Sequence, residues 1–389
     1  DRMAGSWRVL GRVQIQHAEA TVMADRENIL RLVDPEVRTQ EDCERSAKIR
    51  SLNSAVVKQL QGWCVNTANA YLEGQLQRGG QVPPQMSANV AWLLMEVEDW
   101  SRSMAVLNTA AADLEARGAT NTAEYAWLMK SRGSCEAYQG NYAEALRHYS
   151  AAKATFKSAG KDRTLGYARL LRDMGKCQTN KGCYSEAMEL FTDAQHAYEA
   201  AGATGTPNYA VLLRSIGTCL IDLHRLEEAS GFLSRAKQAF EAVGSSSTPS
   251  YAGTLTDLAV CEDRLGHSTK AMDLFLMAKA ILDGTGYTES HHYAILMRFM
   301  AVCYDRQGKF AQAIELFNEA KTSFELSGVS KTTNYAALLV DMATCHNTHG
   351  DVDRAAELFS MAKDIYEAAD ATDKPGYAKM MALHRSGSF

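Results

Sequence analysis

The dipeptide Tyr-Ala occurs at Tyr125, Tyr167, Tyr209, Tyr251, Tyr293, Tyr335 and Tyr377, each step being 42 residues. A chain that repeats itself at a fixed step of this size folds as an array of one supersecondary unit, because a single unit cannot bury its own apolar face and must stack on its neighbours. Other positions hold the same register. Cysteine recurs at Cys135, Cys177, Cys219, Cys261, Cys303 and Cys345. Glycine recurs at Gly140, Gly182, Gly266, Gly308 and Gly350, with His224 as the exception. Alanine recurs at Ala145, Ala187, Ala229, Ala271, Ala313 and Ala355, followed by a large apolar residue at Tyr149, Phe191, Leu233, Phe275, Phe317 and Phe359. A second alanine follows at Ala152, Ala194, Ala236, Ala278, Ala320 and Ala362.

Each unit reads as two helices. Tyr167, Leu170, Leu171 and Met174 fall at i, i+3, i+4 and i+7, one face of a helix. Gly182 breaks the chain. Ala187, Phe191, Ala194 and Tyr198 then mark one face of a second helix. That helix ends at Ala201-Gly202, and Thr206-Pro207 opens the next unit, where proline's missing N–H has no helical partner to lose. Small residues let helices approach closely, so Gly175, Cys177, Ala187 and Ala194 are expected at the crossings, with Phe191 filling the space between. The fold class is therefore all-α, a right-handed superhelical solenoid of antiparallel helix pairs, with six pairs over 125–376.

This pattern resembles the tetratricopeptide repeat. The small residue of the first helix (Gly133, Gly175, Gly217, Ala259, Ala301, Ala343) and the second-helix trio Ala187, Phe191 and Ala194 match that motif. The usual unit has about 34 residues; the longer unit here is similar to the repeats of kinesin light chains, although no sustained heptad pattern stands upstream. The resemblance covers about 83–389. Glu98-Asp99-Trp100 stands where Gly140-Asn141-Tyr142 would lie one unit earlier, so 83–124 reads as a degenerate first repeat. Residues 1–82 read as a helical N-terminal extension or cap, and 377–389 as a truncated capping helix.

Composition narrows the function. The chain has 389 residues, 46% of them hydrophobic, with a formal net charge of -5, which disfavours a nucleic-acid coat. No apolar run has the length of a membrane span. Nine cysteines in a chain this long suggest reduced thiols in a cytoplasmic setting. Arg2, Arg8 and Arg12 precede the first glutamate, Glu19, a faint echo of an organelle import segment. Rungs of the cysteine ladder lie one repeat apart, about 10 Å in stacked helices, too far for a disulfide or a four-ligand zinc site. They are expected to be buried, unpaired and inert. His291-His292 reads as a solvated helix start. Gly202-Ala203-Thr204-Gly205 lacks the Gly-Lys-Ser/Thr ending of a phosphate loop. No nucleophile motif stands out, so an enzyme is not expected, nor a cofactor or metal.

What remains is a protein that holds another protein. At about 100° per residue, offsets 2, 5, 9, 12 and 13 from each repeat tyrosine point away from the core stripe. The resemblance implies that this face lines a concave groove. In the first three units it carries Trp127, Lys130, Tyr138, Arg169, Arg172, Lys176 and Arg214 against a single acid, Asp222. Offset 5 alone gives Lys130, Arg172, Arg214 and later Arg298, a ladder of cations. Stacked like charges repel, and an acidic partner segment would relieve them, with Trp127 seating an apolar side chain. Later units are mixed, with Asp263 and Asp305 beside Arg264 and Arg306. The expected role is a peptide-binding adaptor or scaffold; the alternative is a permanent subunit of a large assembly, attached by its outer face and residues 1–82.

Overall fold

A computed structural model describes residues 83–96, 99–285, 287–288, 290–368 and 375–385, with isolated positions 66, 70 and 74. The expected extension over 1–82 thus lies almost wholly outside the described residues. Among the described residues there are fifteen helices and no strand, and the chain is all-α, of the expected solenoid type. Numbered in order, α1 is Pro84–Glu96, α2 Trp100–Ala116, α3 Ala123–Tyr138, α4 Tyr142–Ser158, α5 Leu165–Asn180, α6 Tyr184–Ala200, α7 Pro207–Asp222 and α8 Leu226–Ala242. They continue with α9 Pro249–Arg264, α10 Ser268–Gly284, α11 His291–Arg306, α12 Phe310–Leu326, α13 Thr333–Thr348, α14 Val352–Ala368 and α15 Pro375–Arg385. Odd-numbered helices are the first (A) helix of each repeat and even-numbered ones the second (B).

Two compact units divide the chain, the boundary cutting through α8. Of the described residues, unit 1 holds 83–225 with 238–243, and unit 2 holds 226–237 with 244–385. Within unit 1, α3 packs on α4 and α5 on α6, while the A helices α1, α3, α5 and α7 also follow one another side by side. Unit 2 repeats the scheme with α9–α10, α11–α12 and α13–α14, its A helices α9, α11, α13 and α15 again in succession.

Local chemistry sets the helix ends. Thr122, Thr164, Thr248 and Ser290 each stand three residues before a repeat tyrosine and accept a hydrogen bond from its backbone N–H, capping the A helix. Pro207 and Pro249 fill first-turn positions. At the A-to-B turn the ladder glycines adopt positive φ, 80° at Gly182 for example. His224 takes the same left-handed conformation at 58°, which a side chain tolerates only with strain.

The core follows the sequence stripe. Ala145, Tyr149, Ala152, Ala187, Phe191 and Ala194 in unit 1 are buried, as are Ala271, Phe275, Ala278, Ala313, Phe317 and Ala320 in unit 2. The close helix approach expected at the small residues is present: a Cβ on Gly175 would stand 2.5 Å from the Phe191 ring, and one on Gly133 2.5 Å from that of Tyr149. All six ladder cysteines are buried and free of disulfides. His291 and His292 begin α11, as a helix start requires.

Candidate functional site

The A helices of unit 1 enclose a groove of about 680 Å³. Its wall includes Trp127, Lys130 and Tyr138 from α3 and Arg169, Arg172 and Lys176 from α5. Six of the eight residues expected from sequence therefore meet in one place. Arg214 on α7 is half-buried and is not part of that wall, though its charge reaches Lys176. Arg298 belongs to a separate groove in unit 2. Helix geometry explains the convergence: offsets 2, 5, 9 and 13 of two side-by-side A helices present the same face.

The charges are not arranged as the sequence suggested. The acid of the groove is Asp173, at offset 6, and Asp222 is not in the wall. Offset 6 lies at about 240° around the helix, next to offset 13 at about 220°, so it belongs to the edge of the same face. Asp173 Oδ2 is 2.6 Å from Lys130 Nζ, and its Oδ1 is 2.7 Å from Arg172 Nη2 and accepts from Arg172 Nε at 2.9 Å. Arg172 Nη1 also donates to Asn208 Oδ1 at 3.4 Å. Lys130 and Arg172 are buried, so the cation ladder is not a run of bare charges: an interleaved carboxylate already compensates its two deepest members.

Electrostatics follow. Burial works against the Asp173 carboxylate, but Arg172, Lys130 and Lys176 hold its pKa well below the usual range. Burial also opposes the charge on Arg172, and Asp173 outweighs it, raising that pKa further. Lys130 is lowered, first by burial and then by Arg169 and Arg172, against the pull of Asp173. Lys176 is open to solvent yet crowded by the groove walls, and its pKa is lowered by that desolvation and by the repulsion of Arg172 and Arg214. Four cations thus face one acid, and Lys176 remains presented to solvent.

Aromatic residues shape the rest. Arg169 lies over the Trp127 indole, its guanidinium carbon 5.5 Å from the ring centroid. Tyr138, 59% exposed, stands at the rim and stacks on Trp100 with centroids 5.7 Å apart. Helix α1 adds Gln85, Asn89 and the half-exposed Trp92, which the sequence reading missed. The signal was available: counting Pro83 as the tyrosine position puts Gln85 at offset 2 and Trp92 at offset 9.

In unit 2 the corresponding groove is about 250 Å³, and two of its three arginines, Arg298 and Arg306, each pair with a different carboxylate. Arg298 Nε is 2.7 Å from Asp341 Oδ2, and Arg306 Nη1 is 2.6 Å from Asp263 Oδ2. Arg298 was placed in the cation ladder, but its carboxylate one repeat later removes it from any surplus of charge.

The tetratricopeptide-repeat family model matches residues 124–200 and 292–368. No curated protein sequence matches the chain. Among solved structures, a Rap protein complexed with competence and sporulation factor is 16% identical, covering 90% of this chain and 91% of that one with a TM-score of 0.63. The apo form of RapI is 15% identical, covering 74% and 98% respectively with a TM-score of 0.56. At these identities the likeness is one of fold. No described helix is long and apolar enough to cross a membrane.

Proposed function

We propose that this chain, a tetratricopeptide-repeat protein, is a non-enzymatic scaffold that holds an acidic, extended or helical segment of a partner protein in the groove of unit 1. The observation that carries this reading is the charge inventory of the groove, four cations to one carboxylate, with Lys176 exposed at its mouth. Arginine grips carboxylates through two parallel hydrogen bonds. Trp92, Trp127 and Tyr138 offer flat apolar area for a side chain between the acids. The structurally similar Rap protein is complexed with competence and sporulation factor, and the proposal gives this scaffold a comparable use, holding a bound factor.

The test uses the two cations that can be reversed without wrecking the core. Arg172→Glu would set a second carboxylate against buried Asp173 and confound folding with binding. Arg169→Glu with Lys176→Glu avoids this, because Arg169 is half-buried and Lys176 exposed. Labelled peptides carrying three acids and one aromatic residue should bind the full chain, weaken steeply with salt, and lose at least about tenfold in affinity, or 1.4 kcal/mol, with the double variant. Equal binding of the glutamine counterparts of those peptides would refute the acidic-segment reading. A permanent assembly subunit is the second reading, favoured by the exposed Leu276 and Met277 of α10 and Met361 of α14. It gains if acidic peptides fail while removal of residues 1–82 abolishes assembly.

A further inference from the structure

Three thiols of the cysteine ladder share a contact that Cys345 does not make. Cys135, Cys219 and Cys261 each point their Sγ at the carbonyl oxygen of the residue that begins the preceding B helix, Trp100, Tyr184 and Leu226, at 3.6, 4.0 and 3.0 Å. Cys345 instead places its sulfur 3.1 Å from Asp305 Oδ1, a side chain of the neighbouring A helix. His349, four residues after Cys345 and at the C-cap of α13, puts Nδ1 3.8 Å from the same carboxylate oxygen and 2.9 Å from the Cys345 carbonyl oxygen, a contact that an ion bound at Nδ1 would replace. One ligand atom from each of Asp305, Cys345 and His349 lies within 4.8 Å of the others.

We propose that Asp305, Cys345 and His349 form a three-ligand site for a borderline-soft divalent ion such as zinc(II), tying α11 to α13. The ladder was discounted as a metal site because its cysteines stand a repeat apart. That objection does not apply here: the ligands are one cysteine, a histidine at i+4 on the same helix face, and an acid from the adjacent helix. Zinc takes thiolate, imidazole and carboxylate at about 2.0–2.3 Å, which places tetrahedral ligand atoms about 3.5 Å apart, so modest side-chain rotation closes the triad. The fourth position is left for water.

Three further features favour a cation. Asp305 lies in the last turn of α11 and His349 ends α13, so two helix C-termini direct their partial negative charge at the site. The Phe310 ring stacks on His349 with centroids 4.1 Å apart and planes at 26°, which fixes the imidazole's orientation. One repeat earlier the frame is the same but the chemistry differs. Cys303 and Asp263 occupy the matching positions, yet Gln307 replaces the histidine and donates to Cys303 Sγ at 3.4 Å, while Arg306 claims Asp263. Thr348 stands where that arginine would be, so no such ion pair competes for Asp305. On binding, the Cys345 S–H bond breaks, an S–Zn bond forms, and the proton leaves to buffer.

The probe is cobalt(II), added to the purified, metal-stripped full chain. A sulfur-to-cobalt charge-transfer band should appear at one equivalent and vanish when zinc(II) is added. His349→Gln copies the preceding repeat and so preserves folding; it should weaken cobalt binding at least about tenfold, as should Asp305→Asn. Cys183→Ser, in unit 1 and not one of the three ligands, should leave the band unchanged. A wild-type chain with no band, or a band that survives both His349→Gln and Asp305→Asn at unchanged affinity, overturns the proposal.

Discussion

In the groove of unit 1, Asp173 pairs with both Lys130 and Arg172 in a wall that also holds Arg169 and Lys176; in that of unit 2, Arg298 and Arg306 each pair with a different acid, Asp341 and Asp263. Both grooves stand on the same 42-residue frame, with A helices side by side and tyrosines in register. The difference arises from which offsets carry acids. Unit 1 uses its acid as a hub between two buried cations and leaves positive charge over. Unit 2 distributes acids so that its pairs close locally. Identical scaffolding can therefore gather its charges on one carboxylate or pair them locally, and a handful of side chains decides which.

The sharpest way to break this comparison is to remove the hub. Asp173→Ala strands two buried cations and should cost about 3–5 kcal/mol of stability. Asp341→Ala strands Arg298, which is less deeply buried than Lys130 and Arg172, and should cost less. Chemical denaturation of both variants reads the contrast; equal losses would mean that Asp173 is no hub.

The same contrast has a pH signature. Asp173 has a depressed pKa in the folded chain, so its stabilisation is fully present above the unfolded-state value, about 3.9, and is lost as pH falls toward the folded value. The stability advantage of the native chain over Asp173→Asn should hold from pH 7 to about 5 and narrow steadily below about 4. An advantage that stays constant down to acid unfolding would show that the carboxylate charge is not what matters.

Packing offers a smaller test. Gly133 and Gly175 in unit 1 admit no Cβ without displacing Tyr149 or Phe191, whereas unit 2 has Ala259, Ala301 and Ala343 at that position. Gly175→Ala should cost about 1–3 kcal/mol through overpacking, despite alanine's better helix propensity. A gain in melting temperature would show that Phe191 gives way easily. The smallest effect is expected for Arg354→Ala in unit 2. Its pair with Glu357 is exposed on both sides, and losing it should cost about 1 kcal/mol or less by chemical denaturation.

Much of this was legible beforehand, for a reason that also marks where reading stopped. Tyr-Ala, the glycine turns and the Ala-Phe-Ala stripe are local signals repeated in register, and repetition suppresses chance. The outward face of the A helix followed from angle alone, which is why Trp127, Lys130, Arg169, Arg172 and Lys176 converge. The ion pairs were missed because they join neighbouring repeats. Lys130 to Asp173, Arg298 to Asp341 and Asp263 to Arg306 are each separated by 43 residues, one more than the period. A search for opposite charges at that separation would have found all three. Asp305, Cys345 and His349 escaped for the same reason, since two are sequence neighbours and the third sits 40 residues away.

The side-by-side order of α3 and α5 in unit 1 has one more consequence. Adjacent helices set their side-chain rungs about 10 Å apart, while a segment in the polyproline II conformation advances about 3.1 Å per residue and presents the same side at every third residue. A segment lying across the stack meets a new rung once in every three of its own residues. A groove that holds the acidic segment proposed above would then work as a ruler. Acids spaced three apart fall in step with the rungs and reach them in turn; acids spaced two or four apart drift out of phase. Peptides of equal charge but different spacing should therefore differ in affinity, and the three-residue spacing should bind tightest.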